Sequence, residues 1–182
     1  MASIVIQDAC VLINLLASGR FEDIASGCGF RFAIASVVAQ EALYLRNAES
    51  GEREKIDLQQ IVEHGILEIL NVESEAEKLR YIEIALDLDD GEAESIAIAE
   101  ARSHALATDD KKARNIIQRR GLKIELWSTC GLLRHWQSKC SISENDLGIV
   151  LANISSRAKY RPKFGHPEFE WWAKILSKQG TQ

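Results

Sequence analysis

The sequence predicts an α/β protein with a largely parallel sheet. Two observations carry that expectation. Short apolar runs suited to buried strands alternate with segments of helical apolar spacing along most of the 182 residues, the pattern of strands joined by helical crossovers. Acids also stand where strand candidates end, beginning with Asp8 after Ser3-Ile4-Val5-Ile6-Gln7, and open parallel sheets bind ligands at that end. With 46% apolar and 27% charged residues, the composition suits one globular domain with a C-terminal appendage.

The elements follow in order. After the first strand, residues 10–17 carry the apolar face of a helix, and Phe21 to Ala25 suit a second short helix, with Gly27 and Gly29 marking a turn. Arg31 to Ala35 is the next strand candidate, and Ser36 is placed to cap a helix running through Leu45, with Glu41 on its second turn. Residues 47–55 are polar and expected to be exposed. Ile56, Leu58, Ile61 and Val62 support a helix stopped by Gly65, followed by a strand over 66–72. Ser74 with Glu77 forms a capping-box signature, and the spacing of Ala76, Leu79, Ile82 and Leu86 carries that helix to about Leu88. A small-residue helix begins in Asp90-Gly91-Glu92-Ala93-Glu94, with Asp90 as its expected cap. Strand candidates at His104 to Thr108 and Lys123 to Trp127 enclose a helix through Ala113, Ile116 and Ile117 that Gly121 ends. Ser128 or Thr129, and then Ser143, cap the two helices that follow.

Several classes of function are disfavoured. The formal net charge of -5 argues against a nucleic-acid coat, though not against an enzyme that holds a phosphate chain locally. No apolar run is long enough to cross a bilayer, and residues 1–20 lack a secretory pattern, so a cytoplasmic location without membrane association is expected. Cys10, Cys28, Cys130 and Cys140 lack C-x-x-C spacing and are expected as reduced thiols. The four histidines show no zinc-like spacing, and neither a nucleophile elbow nor a phosphate-binding glycine loop is present.

The acids are the informative residues. Asp8 and the pair Asp109-Asp110 end two strand candidates, while Glu41 and Glu92 stand near helix starts. If those strands are neighbours, the carboxylates converge on one crevice. Hard oxygen donors of this kind suit Mg²⁺ or Mn²⁺, and such an ion activates water, orients a phosphodiester and stabilises the leaving oxygen. Each acid has a plainer use. Asp8 can cap the first helix, Glu41 can sit on a polar face, and Glu94 is the substitute for Glu92. One of Asp109 and Asp110 can cap a helix while the other approaches metal. Thr108 can position a phosphate or water, and Arg114 is the better phosphate clamp in the basic cluster Lys111, Lys112 and Arg114.

These residues, in this order, resemble the PIN-domain family. The matching stretches are residues 4–14, Val37-Val38-Ala39-Gln40-Glu41, Asp90 through Ala99, Ala107-Thr108-Asp109-Asp110-Lys111-Lys112-Ala113-Arg114, Gly121 to Ile124, and Thr129 to Leu133. The Gly91-Glu92-Ala93-Glu94 stretch is similar to a bacterial and archaeal toxin-like ribonuclease branch with a G-E-A-E segment. The resemblance implies a three-layer fold with a five-stranded, mainly parallel sheet between helices. It also implies a Mg²⁺- or Mn²⁺-dependent endoribonuclease, the toxin of a toxin–antitoxin pair.

RNA is then the substrate, a small antitoxin protein a candidate partner and a homodimer a candidate assembly. Asp8, Glu41, Glu92 and Asp110 match the catalytic acids, and the metal set is Asp8, Glu41, Glu92, Asp109 and Asp110, with the choice within Asp109-Asp110 open.

The resemblance covers residues 3–155, giving a nuclease domain over 1–155. Residues 156–182 form a basic and aromatic extension, packed on the domain or used for partner contact. The long span between Glu41 and Glu92 and this tail leave a regulatory or protein-binding module with weak or no catalysis as the alternative.

Overall fold

A computed structural model describes residues 3–41, 43–47 and 50–178. Ala42, inside the helix expected through Leu45, and residues 48–49 lie outside the described residues, as do 179–182 of the tail. The strands are β1 (Ile4–Gln7), β2 (Arg31–Ala35), β3 (Tyr44–Arg46), β4 (Arg53–Lys55), β5 (Leu67–Leu70), β6 (Ala105–Ala107) and β7 (Leu126–Trp127). The helices are α1 (Ala9–Ala17), α2 (Phe21–Cys28), α3 (Ser36–Gln40), α4 (Gln59–Glu63), α5 (Glu75–Ala85), α6 (Asp90–Arg102), α7 (Lys111–Arg119), α8 (Thr129–Cys140), α9 (Glu144–Arg157) and α10 (Phe169–Ser177).

Five strands form one parallel sheet in the order β5-β2-β1-β6-β7. Helices cover the sheet on both sides, giving the three-layer α/β architecture. The strands are short and apolar because they are buried: Val5, Ile6, Phe32, Ala33, Ile34, Leu106 and Ala107 are all core residues. α6 packs on β1, β2 and β6, and its small residues Ala93, Ala97 and Ala99 allow that close approach. Among the described residues no helix is long and apolar enough to cross a membrane. All four cysteines are free.

The order of the strands creates the feature that matters for function. From β1 the chain builds outward through β2 to β5, then returns to the other side of β1 for β6 and β7. The reversal falls between β1 and β6, which pair in parallel with Gln7 opposite Ala107. The crevice outside the carboxyl ends at such a switch point is where open α/β sheets bind ligands.

Three local expectations are corrected. The helix expected from Val37 through Leu45 stops at Gln40, and Glu41 has extended backbone (φ -68°, ψ 148°). The chain then enters β3, which pairs antiparallel with β4 in a hairpin, so the polar stretch after residue 47 includes a strand, although an exposed one. On α5, the stripe Ala76, Leu79, Ile82 and Leu86 points outward. The face turned inward carries Glu77 and Ile84. Glu77 is buried because the Arg102 guanidinium on α6 bonds it at 2.6 Å, an ion pair that joins the two helices.

Beyond α9, the tail folds back rather than trailing away. α10 packs against α9 and buries Trp172 and Ile175. The Tyr160 ring meets the Trp172 ring edge-on, with centroids 5.7 Å apart.

Candidate functional site

At the switch point a cavity of about 320 Å³ is lined by Asp8, Cys10, Val38, Glu41, Asp89, Gly91, Glu92, Asp109, Asp110 and Tyr160. All five acids of the expected metal set therefore meet at one place, and a sixth, Asp89, joins them.

Each arrives by a different route. Asp8 is the residue after β1, pinned by its amide to the Ala107 carbonyl of β6 at 3.0 Å. It also caps α1: its Oδ1 accepts from the Val11 amide at 2.8 Å and from the Cys10 thiol at 3.0 Å. The capping and site readings of Asp8 are thus the same geometry. Glu41 is delivered by the short α3. No side chain of its own N-terminal residue caps that helix. Instead the buried Glu94 carboxylate on α6 accepts from the Val37 amide at 2.8 Å and from Ser36 Oγ at 2.9 Å. This corrects two expectations. Ser36 is the first helical residue rather than a cap, and Glu94 is spent holding α3 against α6.

Gly91 brings α6 close to Glu41. A Cβ there would stand 2.7 Å from Glu41 Oε1 and 3.1 Å from Val38 Cγ2, so a side chain at this position would occupy the space the carboxylate uses. Asp89, not Asp90, caps α6 by accepting from the Glu92 amide at 2.9 Å. Asp90 instead accepts from the Tyr81 hydroxyl at 2.9 Å.

Asp109 and Asp110 divide their labour. Asp110 caps α7, its Oδ1 accepting from the Ala113 amide at 2.8 Å. Asp109 is gripped from α8 and α1: the Thr129 hydroxyl donates at 2.6 Å, the Thr129 amide at 3.0 Å and Asn14 Nδ2 at 3.2 Å. Thr108 steadies the turn by accepting from the Asp110 amide at 3.0 Å. Arg114 has part of its guanidinium committed to backbone: Nη1 donates to the Thr108 and Trp127 carbonyls at 3.0 and 2.9 Å. It ties the ends of β6 and β7 together.

Crowding shows in the proton affinities. Burial pushes the Asp8 carboxyl up to about 6, with the Asp109 charge adding to it against the hydrogen bonds that favour the ion. Glu92 is pushed up to about 7 by burial and by the charges of Asp89, Asp110 and Asp8. Glu41 is raised by burial and by Asp89 and Asp8. Carboxylates that resist ionising together are what a divalent cation relieves. The donor set, all hard oxygen, fits Mg²⁺ or Mn²⁺ in chemistry. Among the described residues, no group of three or more His, Cys, Asp or Glu side chains is set to hold a metal ion as it stands.

A family model for a PIN domain, DUF3368, matches residues 4–161. The chain belongs to the PIN-domain family. No curated protein and no solved structure matches the chain. Membership in this family supports a nuclease-like function in general, and the match spans every acid that lines the cavity.

Two lining residues escaped the sequence reading. Asp89 was hidden by its neighbour, since either acid of Asp89-Asp90 satisfies a cap pattern. Tyr160 lies in the basic and aromatic stretch after Arg157, where nothing in the sequence singles out one ring. Burial and the Asp109 charge raise its hydroxyl above the ordinary tyrosine range, and the hydroxyl lies 3.6 Å from Cys130 Sγ.

Proposed function

We propose that this PIN-domain protein is a Mg²⁺-dependent endoribonuclease, with Mn²⁺ able to substitute, from the toxin-like branch with a G-E-A-E segment. The observation that carries the reading is the convergence of Asp8, Glu41, Glu92, Asp109 and Asp110 on one cavity at the switch point of the sheet. Asp8, Glu41, Glu92 and Asp110 would hold the metal, and Asp109 would join them directly or orient the set from its seat on Thr129. A bound divalent ion supplies a water nucleophile at neutral pH and charge stabilisation for the leaving oxygen.

The protein's own part is to keep the acids in register. Glu94 fixes α3, Gly91 leaves room for Glu41, and Thr129 with Asn14 fixes Asp109. The partners proposed with this activity are RNA as substrate and a small antitoxin protein, and the proposed assembly is a homodimer in the cytoplasm. Residues 1–155 would form the nuclease domain and 156–182 an extension upon it.

Asp8→Asn tests the reading, because an asparagine oxygen still accepts from the Val11 amide and keeps the α1 cap. Calorimetric Mn²⁺ titration of wild type and D8N is run beside a metal-dependent RNA cleavage assay. The variant should lose measurable Mn²⁺ binding and cut RNA at least about 100-fold more slowly while its circular dichroism is unchanged. A wild-type protein that neither binds Mn²⁺ nor cuts RNA would return the acids to a structural or regulatory role.

A further inference from the structure

The acid cavity has a basic neighbour. A second cavity, of about 680 Å³, is lined by Asp110, Lys111, Lys112, Asn115, Gln118 and Arg119 along the outward face of α7. It shares Asp110 with the acid cavity, so the two are contiguous. Lys111, Lys112 and Arg119 are exposed, and among the described residues none of the three forms an ion pair. Their neighbour Arg120, by contrast, is paired with Asp87 at 2.7 Å.

Unpaired cations gathered on one face stand out in a chain of net charge -5. Lys112 is near enough to Glu92 for its charge to favour that carboxylate, yet neither lysine nor Arg119 closes onto an acid as an ion pair. Asn115 and Gln118 lie between the cations along the helix and add amide donors for oxygen ligands. From Lys111 to Arg119 the helix rises about 12 Å, longer than a single phosphate group needs.

We infer that the Lys111-Lys112-Arg119 face of α7 is a subsite for the phosphate chain of single-stranded RNA, next to the phosphodiester held at the acid cavity. This rests on the ribonuclease reading above, and it gives the substrate a direction across the molecule. The chain runs from the switch-point cavity over Asp110 and along α7. The division of charge has a physical basis. Phosphates that are not being cut need cations to neutralise them, while the one being cut lies against the acids. Arg114, whose Nη1 is bonded to the Thr108 and Trp127 carbonyls, does not line this cavity.

The test is equilibrium binding in EDTA, where no cleavage intervenes. The probe is a fluorescein-labelled mixed-sequence single-stranded RNA of about 12 nucleotides, followed by anisotropy across a salt series. The proteins are wild type, Lys111→Ala/Arg119→Ala, and the control Arg20→Ala/Lys78→Ala, which removes the same charge from residues already paired with Asp23 and Glu75. Alanine on an exposed helix face preserves the helix.

The K111A/R119A protein should bind about tenfold more weakly at moderate salt. The slope of log affinity against log salt should shrink by about 1.4, the share of two phosphate contacts on a single strand. The control should match wild type. Unchanged affinity and slope in K111A/R119A overturns the subsite, as does an equal loss in the control or a wild-type protein that binds no RNA. Cleavage by wild type in Mn²⁺, measured in parallel, reports on the ribonuclease reading alone, so either can fail without the other.

Discussion

A methyl group at position 91 would stand 2.7 Å from Glu41 Oε1, and the clash falls on the far end of a flexible side chain. Gly91→Ala should therefore leave the fold intact. Alanine is the better helix former by about 1 kcal/mol, which offsets small shifts of Val38. The Glu41 carboxylate, however, must leave its place. We expect a melting temperature within about 3 °C of wild type and RNA cleavage reduced roughly 10- to 100-fold, read from thermal melts and initial rates. Full activity in G91A would show that Glu41 need not sit where the structure has it.

Protons give a second residue-scale outcome. Asp8 at about 6 and Glu92 at about 7 both lie above the values they take in an unfolded chain. Without metal, the native protein holds protons that the unfolded chain has already lost, so these groups cost stability as pH rises from about 4 to about 7. His104, whose affinity for a proton is lowered by burial, pulls the other way in the same range. The informative measurement is thus a comparison with Glu92→Gln in EDTA. The melting temperature of E92Q should exceed that of wild type by a margin that widens from about pH 4 to about pH 7, and saturating Mn²⁺ should reverse the order. A margin that does not change with pH would mean that Glu92 is not crowded by its neighbours.

At the scale of elements, α5 shows how a correct prediction can rest on the wrong face. The outward stripe Leu79, Ile82 and Leu86 has helical spacing, so it announced a helix, yet those residues are 57%, 58% and 84% exposed. The inner face is held by a charge instead. Glu77, drawn down to about 2 chiefly by its bond to Arg102, also receives the amides of Glu73 and Ser74. Sequence patterning cannot foresee a buried carboxylate whose partner lies on the next helix. Glu77→Ala leaves Arg102 with its buried partner gone and should cost about 3 kcal/mol, measured by urea denaturation. A loss below about 1 kcal/mol would mean that apolar packing alone joins α5 to α6. The short α3 was misread for a related reason. Its N-terminal amide is capped from α6 by Glu94, and its apolar continuation, Leu43 and Leu45, is buried by a hairpin.

At the scale of the whole molecule, the fold class and five of the six acids of the cavity were legible, because strand ends and helix starts leave local marks. What the residues could not reveal by themselves was adjacency. That Asp8 and Asp109 meet depends on β6 returning beside β1, a fact of topology rather than of any short stretch. Tyr160 was hidden for the same reason, as it reaches the cavity only after the chain has folded back from α9.

The grip of Thr129 and Asn14 on Asp109 bears on how the protein is made. Asp8 through Asp110 leave the ribosome before Thr129 does, so a growing chain carries all six acids before the group that seats Asp109 exists. On the ribonuclease reading proposed above, the protein is synthesised in contact with its own substrate. With β7, α8 and Tyr160 still to come, the bonds from Thr129 to Asp109 have yet to form, and that reading expects the site to be completed only when the final third of the chain has emerged.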